Sequence, residues 1–259
     1  MYKVSVVTIC RNEKDNIAKT IQSVTSQKFN DFEYIIKDGC STDGTLEKAQ
    51  AFATKTSQIE IRVISKQDSG IYSAMNQAVA CSNGDWILFM NAGDEFFNSD
   101  VLADIFAHDL DNVDVVYGHT CCVLRDGSKV IQVNNHMNLA KEIGISQQVC
   151  LVRRELLERY RFDESYKILA DFKLLYQLYN AGHNFRSLNM VIAKYYRGGV
   201  STVSALTIKR EFNRIFDRNE NAGQFKAVLK GLFERYFPNY SDKLFVEHIC
   251  KGIDDSNAV

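Results

Sequence analysis

A short apolar run, Trp86–Met90, is followed four positions later by a carboxylate, Asp94. A continuous apolar run of this length is typical of a strand that is buried on both faces of a parallel sheet. Ligands of such sheets bind at the carboxyl ends of the strands, which is where Asp94 falls. The run therefore predicts an α/β fold with a metal or phosphate site at one edge of its sheet.

Apolar strands and helical segments alternate through the first half of the chain. Alternation at this spacing is typical of right-handed βαβ units and a mostly parallel sheet flanked by helices. The predicted strands are Val4–Ile9, Phe32–Ile36, Ile59–Ile64, Trp86–Met90 and Val113–Tyr117. The predicted helices are residues 12–27, a helix capped at Ser41–Asp43 that runs to about Thr54, residues 71–81, and a short helix capped by Ser99 or Asp100.

The second half of the chain has a different pattern. Asp126-Gly127 lies between β-prone runs and predicts a hairpin turn. The further predicted segments are a strand at Ser146–Val152, a helix at Ala170–Ala181, an extended segment at Phe185–Tyr196 and helices from Ala205 to Lys251. We therefore expect one sheet-based domain over residues 1–203, divided into halves at residue 117, and a helical extension over residues 204–259.

Composition excludes several classes of protein. The net charge of −1 argues against a nucleic-acid-binding protein, so no nucleic-acid partner is expected. Seven cysteines without a CxxC pair suggest reduced thiols in a cytosolic protein. The N-terminus lacks the pattern of a signal peptide, and no apolar run is long enough to span a membrane. None of the five histidines has metal-ligand spacing.

Two polar loops follow predicted strands. The first, Lys37–Thr45, carries Asp38 among glycines and small hydroxyls, which suits either a turn with a helix cap or a site for a nucleobase or ribose. The second, Gln67–Asn76, is a loop and helix start from which Asp68 and Asn76 would reach a ligand; alternatively, Ile71, Met75 and Val79 simply pack inward. Neither GxxxxGK[ST] nor GxGxxG occurs, which disfavours a P-loop kinase and a dinucleotide dehydrogenase.

Four motifs occur in a consistent order: VSVVTICRNE, DGCSTDGT, DSGIYSAMNQA and GDWILFMNAGDEF. Together they resemble the bacterial glycosyltransferase family 2, and most closely its capsule, colanic acid and O-antigen branch. The resemblance covers about residues 2–200. It implies a GT-A fold, a Rossmann-like and mostly parallel sheet, with a nucleotide-binding half over residues 1–117 and an acceptor half over residues 118–203.

The resemblance also implies a set of donor-binding residues. Thr8 and Glu13 would line the nucleotide pocket. Asp38 would form hydrogen bonds with the base. Asp68, with Asn76 nearby, would approach the ribose and the diphosphate.

The metal motif of the family falls on Asn91-Ala92-Gly93-Asp94. This sequence departs from the family's Asp-x-Asp pattern, because Asn91 and Gly93 stand where carboxylates are usual. Asp94 is then the one clear carboxylate, and the resemblance implies that it holds Mn²⁺ or Mg²⁺, with Asn91 as a substrate-binding residue beside it. Such an ion neutralises the charge that develops on a nucleoside diphosphate leaving group.

The acceptor half supplies the remaining predicted site residues. Asp171 matches the family's general base, whereas an N-cap of the following helix is the structural alternative. Arg197, beside Gly198-Gly199, would contact the diphosphate, with a surface turn as an equal alternative. Gln148 is the acceptor-side candidate where the branch often has His-Gln.

The C-terminal stretch Gln224–Phe237 is amphipathic and basic. A helix packed on the core is the structural alternative. The functional interpretation is peripheral contact with the inner face of a membrane, where a lipid-linked acceptor would be found.

The resemblance implies an inverting, metal-dependent glycosyltransferase, and the cysteine usage suggests that it lies in the cytoplasm. Its partners would be a nucleotide-sugar donor, expected to be UDP-linked, and a glycan or lipid-linked acceptor. A nucleotidyltransferase is a second hypothesis, although the loop Thr8–Glu13 contains no glycine to bind a triphosphate. A catalytically silent nucleotide-binding protein is the third, since the metal motif is eroded.

Overall fold

The computed structural model of the protein describes residues 2–55, 59–124, 126–136, 139, 145–196 and 205–216. One mixed sheet runs through this part of the chain in the order β3-β2-β1-β4-β8-β6-β9-β5, and β7 pairs with β6 off that path. The strands are β1 Val4–Cys10, β2 Phe32–Asp38, β3 Glu60–Ser65, β4 Trp86–Phe89, β5 Glu95–Phe96, β6 Val115–Val123, β7 Lys129–Gln132, β8 Cys150–Arg153 and β9 Phe185–Tyr196.

Helices cover the sheet and connect its parallel strands. They are α1 Ile17–Thr25, α2 Thr45–Lys55, α3 Ile71–Val79, α4 Val101–Phe106, α5 Arg154–Tyr160, α6 Ala170–Asn180 and α7 Ala205–Phe216. The predicted α/β class, with a mostly parallel sheet flanked by helices, is thus confirmed. No helix in the described ranges is both long and apolar enough to cross a bilayer.

The central strands are apolar because both of their faces are covered. Every residue of β1, β2 and β4 is buried, as the apolar run Trp86–Met90 predicted. β1 pairs in parallel with β2 on one side and with β4 on the other. The carboxyl ends of these three strands therefore meet at one edge of the sheet, where loops are free to bind a ligand.

The second half extends the same sheet. The hairpin predicted at Asp126-Gly127 is present, with β6 and β7 as its arms. β8 is antiparallel to both β4 and β6, and so it joins the two halves of the sheet. The structure begins β8 at Cys150, after a 3₁₀ turn at Gln147–Val149, whereas the sequence predicted a strand from Ser146.

Helix α7 is the described part of the predicted helical extension. Its Phe212 is buried and stacks on Phe172 of α6, with ring centroids 6.0 Å apart and an angle of 6° between the ring planes. Phe216 lies 4.8 Å from Tyr176 between ring centroids. The predicted boundary at residue 203 and the stretch Gln224–Phe237 lie outside the described residues, so the domain limits stay a prediction.

Candidate active site

The end of β1 brings two predicted site segments to the same edge. Asp38, the last residue of β2, is in register with Cys10 of β1. On the other side, the backbone N–H of Ala92 donates a hydrogen bond to the carbonyl of Ile9 at 3.2 Å. Since adjacent strands lie about 4.8 Å apart, Asp38 and the turn that contains Asp94 flank the end of β1 within about two strand spacings.

The loops after β1 and β2 hold each other. The side-chain oxygen of Asn12 accepts the N–H of Thr42 at 2.9 Å, and the N–H of Glu13 donates to the hydroxyl of Thr45 at 2.8 Å. Asn12 and Cys40 adopt the left-handed conformation, with φ of 56° and 57°. Non-glycine residues rarely adopt that conformation, and such residues cluster at binding sites.

Glu13 lies on the first of these loops and is half-buried. Its carboxylate accepts a hydrogen bond from the side-chain amide of Asn16 at 2.7 Å. The predicted contact between Glu13 and a nucleotide stays a prediction, because the side chain keeps some exposed surface.

Asp38 is fully buried beneath its own loop. Its carboxylate accepts the N–H of Ser41 at 3.1 Å and the hydroxyl of Ser65 at 2.7 Å. The sequence predicted that Asp38 forms hydrogen bonds with the base. The buried side chain has no exposed surface for such a contact. The observed contacts assign it to shaping the loop at residues 39–41, because they join that loop to the end of β3.

Lys37 and Asp68 form a buried ion pair behind this loop. The Nζ of Lys37 lies 3.0 Å from Oδ2 of Asp68, and their side chains are 1% and 6% exposed. Lys37 also donates to the carbonyls of Asp38 and Lys66, so its three N–H groups are all used. A Cβ on Gly39 would lie 2.8 Å from Oδ2 of Asp68, which explains why a residue without a side chain stands there.

Thr8 and Asn76 serve packing, contrary to the prediction that they lie in or near the donor pocket. The hydroxyl of Thr8 is fully buried, donates to the carbonyl of Met90 at 2.7 Å and shares a 2.8 Å hydrogen bond with Tyr34. The side-chain amide of Asn76 is buried and exchanges hydrogen bonds of 2.9 and 3.0 Å with the backbone of Phe162. The hydroxyl of Thr8 and the side-chain amide of Asn76 both form their hydrogen bonds with groups inside the protein.

The turn after β4 has polar groups without partners. The N–H of Asp94 donates to the carbonyl of Asn91 at 2.9 Å, which closes the turn, and Thr20 of α1 hydrogen-bonds to the backbone of both Gly93 and Asp94. The side-chain oxygen of Asn91 is buried and has no hydrogen-bond partner. Within the described ranges the carboxylate of Asp94 accepts no hydrogen bond either. A buried oxygen such as that of Asn91 is rarely left in this state unless a water, a ligand or an ion completes it, whereas the half-buried carboxylate of Asp94 keeps some exposed surface.

Burial raises the pKa of Asp94 to about 7, although the nearby charge of Lys19 lowers it. Desolvation disfavours the ionised carboxylate, and a bound cation would reverse that effect. No cluster of three His, Cys, Asp or Glu side chains that would hold a metal occurs in the part of the chain that the structure describes. The donor set fits Mg²⁺ or Mn²⁺ nonetheless, because such ions are often held by one or two carboxylates together with the phosphates of a substrate.

Asp171 occupies the first turn of α6 and is half-buried. Its Oδ1 lies 3.1 Å from the hydroxyl of Tyr72 on α3. Burial raises the pKa of Asp171, while the hydrogen bonds from the N–H of Phe172 and from Tyr72 lower it. The N-cap position of α6 is occupied by Leu169, and Asp171 lies two residues later, so Asp171 is not the N-cap of this helix.

The contact between Tyr72 and Asp171 has consequences for the proton they share. Tyr72 donates its one hydroxyl proton to the carbonyl of Ile168 in a short hydrogen bond. The same hydroxyl also donates to the carboxylate of Asp171 at 3.1 Å, so its one proton is shared between two acceptors and the hydrogen bond to Asp171 is weakened. Asp171 also borders a narrow, mainly apolar cavity, which accounts for its desolvation.

The remaining predicted residues are less well placed. Gln148 is half-buried in the 3₁₀ turn, but it is Gln147 that lines the cavity beside Asp171. Gln147 also contacts the sulfur of Met75 at 3.3 Å. Arg197 lies outside the described residues.

Sequence reasoning missed three residues of this region. Lys37 was detectable as the one basic residue of β2, a strand in which every residue is buried. Tyr72 was passed over for Ile71, which the sequence placed in the core but which is 44% exposed, while Tyr72 is 6% exposed. The third, Glu211 of α7, carries no local signal, because its partners are more than 40 positions away.

Comparison with known proteins agrees with the fold and with the motifs. The glycosyl transferase family 2 model matches residues 5–167, which is more than half of the chain. A PGL/p-HBAD biosynthesis glycosyltransferase of Mycobacterium bovis is 28% identical over 209 residues, which cover 78% of this chain and 79% of that protein.

Two solved structures share the fold. Staphylococcus aureus TarS 1–349, in complex with UDP-GlcNAc, has a TM-score of 0.68 at 20% identity and covers 93% of this chain and 74% of that one. The mannosyltransferase PcManGT of Pyrobaculum calidifontis, in complex with GDP-Man and Mn²⁺, has a TM-score of 0.68 at 16% identity and covers 99% and 75%. By its motifs, its sheet and this match, the chain belongs to glycosyl transferase family 2.

Proposed function

We propose that the protein is an inverting, metal-dependent glycosyltransferase. It transfers a sugar from a nucleotide donor, expected to be UDP-linked, to a hydroxyl of a glycan or lipid-linked glycan in surface polysaccharide synthesis. A biosynthetic glycosyltransferase among the relatives, and a UDP-GlcNAc complex among the similar structures, support this direction. The cytoplasm is the proposed location, with membrane contact through the basic stretch Gln224–Phe237.

The observation that carries the proposal is the turn after β4 at the carboxyl edge of the sheet, where the buried side-chain oxygen of Asn91 has no hydrogen-bond partner among the described residues and the half-buried carboxylate of Asp94 accepts none. Donor binding would use this edge. Glu13 and Asp68 would border the nucleotide, and the loop that Asp38 organises would lie against the base. Arg197 and Gln148 are kept as proposed contacts to the diphosphate and the acceptor.

Asp94 would hold Mn²⁺ or Mg²⁺, with the side-chain oxygen of Asn91 as a second ligand. The ion would supply charge neutralisation for the departing nucleoside diphosphate. Because one carboxylate and one amide bring a single negative charge, the phosphates of the donor would have to supply the remaining ligands.

Asp171 is the proposed general base. Its carboxylate takes the proton of the acceptor hydroxyl, the acceptor oxygen forms a bond to the anomeric carbon, and the bond from that carbon to the diphosphate oxygen breaks. Attack opposite to the leaving group inverts the anomeric centre. The raised pKa suits this task, because a base is most effective when its pKa lies close to the working pH.

A nucleotidyltransferase and a silent nucleotide-binding protein are the competing functions. To test them, the protein is incubated with UDP-GlcNAc or GDP-Man, Mn²⁺ and a panel of octyl glycosides as simple acceptors. A glycosylated product with release of UDP or GDP is expected. For the nucleotidyltransferase, the sugar 1-phosphate is incubated with UTP or GTP, and formation of pyrophosphate would overturn our proposal.

Calorimetric titration with UDP and with GDP, each with and without Mn²⁺, addresses the silent alternative. Metal-dependent binding of one nucleotide is expected, and the nucleotide that binds identifies the donor class. Absence of binding for both nucleotides at millimolar concentration would favour the silent protein.

A further inference from the structure

One buried carboxylate of helix α7 accepts hydrogen bonds from the loop that leads into α6. Glu211 is 7% exposed. It accepts hydrogen bonds from the backbone N–H groups of Lys167 at 2.6 Å, Ile168 at 3.1 Å and Leu169 at 2.9 Å. Three consecutive N–H groups that converge on an anion form a nest, a strong and directional arrangement.

The same loop is held from its other side by α3. Tyr72 donates to the carbonyl of Ile168, whose N–H is bound by Glu211. Tyr72 also contacts the carboxylate of Asp171. The loop is therefore fixed through both its N–H and its C=O groups, only two residues before Asp171.

Further contacts keep α7 in place beside α6. Phe212, the neighbour of Glu211, stacks on Phe172, which is the neighbour of Asp171. Arg214 donates to the hydroxyl of Ser165 at 2.8 Å and lies 4.4 Å from the ring centroid of Tyr166. The helix thus contacts the segment before Asp171 and the residue after it.

We propose that Glu211 is a positioning residue for glycosyl transfer, which fixes the orientation of Asp171 through the loop at residues 167–169 and places a second negative charge near it. This inference rests on the proposed role of Asp171 as the general base. It makes α7, beyond the matched family region that ends at residue 167, a working part of the active site.

The charge of Glu211 has a consequence that a purely mechanical role would lack. Among the described residues, the titratable groups that interact with Asp171 include Tyr72 from α3, Cys150 from β8 and Glu211 from α7. Burial raises the pKa of Asp171 most, and the charge of Glu211 raises it further. Replacement of Glu211 by Gln removes that charge, so the pKa of Asp171 should fall. The base must be ionised to act, and the acidic limb of the pH–rate profile should therefore move to lower pH.

The test compares Glu211→Gln with Glu155→Gln, an exposed position on α5 that loses the same charge. UDP-GlcNAc or GDP-Man and an octyl glycoside serve as substrates. In Glu211→Gln we expect kcat to fall about 10- to 100-fold, since a small misplacement of a catalytic group has effects of this size. The donor KM should stay within about twofold, and the control should behave as the parent.

Two further variants separate position from charge. Glu211→Asp keeps the charge but shortens the side chain, so kcat should fall while the acidic limb stays at the parental pH. If Glu211→Gln does not fold, this variant carries the kinetic test alone. In a double variant with Asp171→Asn, Glu211→Gln should cost little more than Asp171→Asn alone, because residues that act through one another are not additive.

Direct measurements make the outcome independent of turnover. Backbone hydrogen exchange at residues 167–169 should accelerate in Glu211→Gln, and carboxyl carbon NMR should show a lower pKa for Asp171. Unchanged exchange and an unmoved pKa would overturn the proposal. If Asp171→Asn abolishes transfer but Glu211→Gln is fully active, the positioning role alone fails. If Asp171→Asn is itself active, the proposed base fails instead.

Discussion

Two regions of the molecule differ in how far hydrogen bonds and ion pairs compensate the burial of their carboxylates. At the ends of β2 and β3, Asp38 is bound by Ser41 and Ser65, and Asp68 is bound by Lys37. Across β1, the carboxylate of Asp94 has no hydrogen bond from the described residues. Asp171 of α6 accepts hydrogen bonds from the hydroxyl of Tyr72 and from the N–H of Phe172, but burial outweighs them and raises its pKa.

The comparison separates carboxylates that stabilise the fold from carboxylates that are proposed to take part in the reaction. Satisfied carboxylates stabilise a loop and are already committed to it, so they prepare a surface for the donor. A carboxylate that burial desolvates more than its hydrogen bonds compensate is destabilising in its ionised form until a cation or a proton binds to it, which is common in active sites. The pKa values of both Asp94 and Asp171 are raised, chiefly by burial. The two classes of carboxylate should therefore respond differently to substitution.

The largest expected effect is on catalysis. Asp171→Asn removes the proton acceptor, and kcat should fall by about 10²–10⁴, the usual contribution of a general base. Calorimetry should show unchanged affinity for UDP or GDP, because the side chain lies on the acceptor side. Asp104→Asn, an exposed position on α4, is the matched control. Near-parental turnover of Asp171→Asn would remove Asp171 from the mechanism.

The next effect is on stability in the satisfied region. Lys37→Met leaves Asp68 buried and unpaired, and the free energy of unfolding should fall by about 3–5 kcal/mol. Urea denaturation measures it, with Lys66→Met at an exposed position as the control. Adding Asp68→Asn should restore part of the loss. A loss below about 1 kcal/mol for Lys37→Met would mean that the pair is not the element that holds this region.

A smaller effect is expected on metal binding in the unpartnered region. Asp94→Asn removes the carboxylate proposed to hold the cation, and Mn²⁺-dependent binding of UDP or GDP should weaken at least about tenfold. The adjacent Glu95→Gln is a sharp control, because Glu95 is already engaged with Lys19 at 4.0 Å. Equal losses in the two variants would show a general charge effect in place of a metal ligand.

The strands of both regions were predictable, whereas the state of their carboxylates was not. Buried strands such as Trp86–Phe89 can be recognised from their apolar composition. Once the strands are known, Asp38 and Asp94 are expected at the carboxyl edge of the sheet. Whether a carboxylate is satisfied depends on groups that arrive from elsewhere in the chain. Ser65 reaches Asp38 from 27 positions away, and no periodicity encodes that contact.

The same limit explains the errors over α3 and α7. Helical periodicity selected Ile71 as a core residue, but the first turn of a helix need not follow the buried stripe of its later turns. Tyr72 is buried instead, because its hydroxyl finds acceptors near residue 170. Glu211 was invisible for a stronger reason: an acidic residue in an amphipathic helix is usually solvated, and only the tertiary fold brings three N–H groups to it.

The smallest predicted effect is on the free energy of unfolding. Its sign distinguishes the two groups of carboxylates. Since the pKa of Asp171 is raised in the folded protein, folding binds a proton more tightly, and stability falls as the pH rises from the unfolded pKa through the folded pKa. Asp171→Asn should therefore stabilise the fold at pH 7 by about 0.5–2 kcal/mol, the range typical of relieved active-site strain. The gain should vanish below about pH 3, where both states are protonated.

Asp163 provides the opposite case within the same segment. Burial would raise its pKa, but hydrogen bonds from Lys173 and Ser165 lower it to about 2. Its stabilising contribution is present above the unfolded pKa and is lost as the pH falls toward 2, so Asp163→Asn should destabilise the protein at pH 7. Urea denaturation of both variants at several pH values measures the two signs. A loss of stability at neutral pH in both variants would mean that Asp171 is a satisfied structural carboxylate like Asp163, and that burial gives it no catalytic advantage.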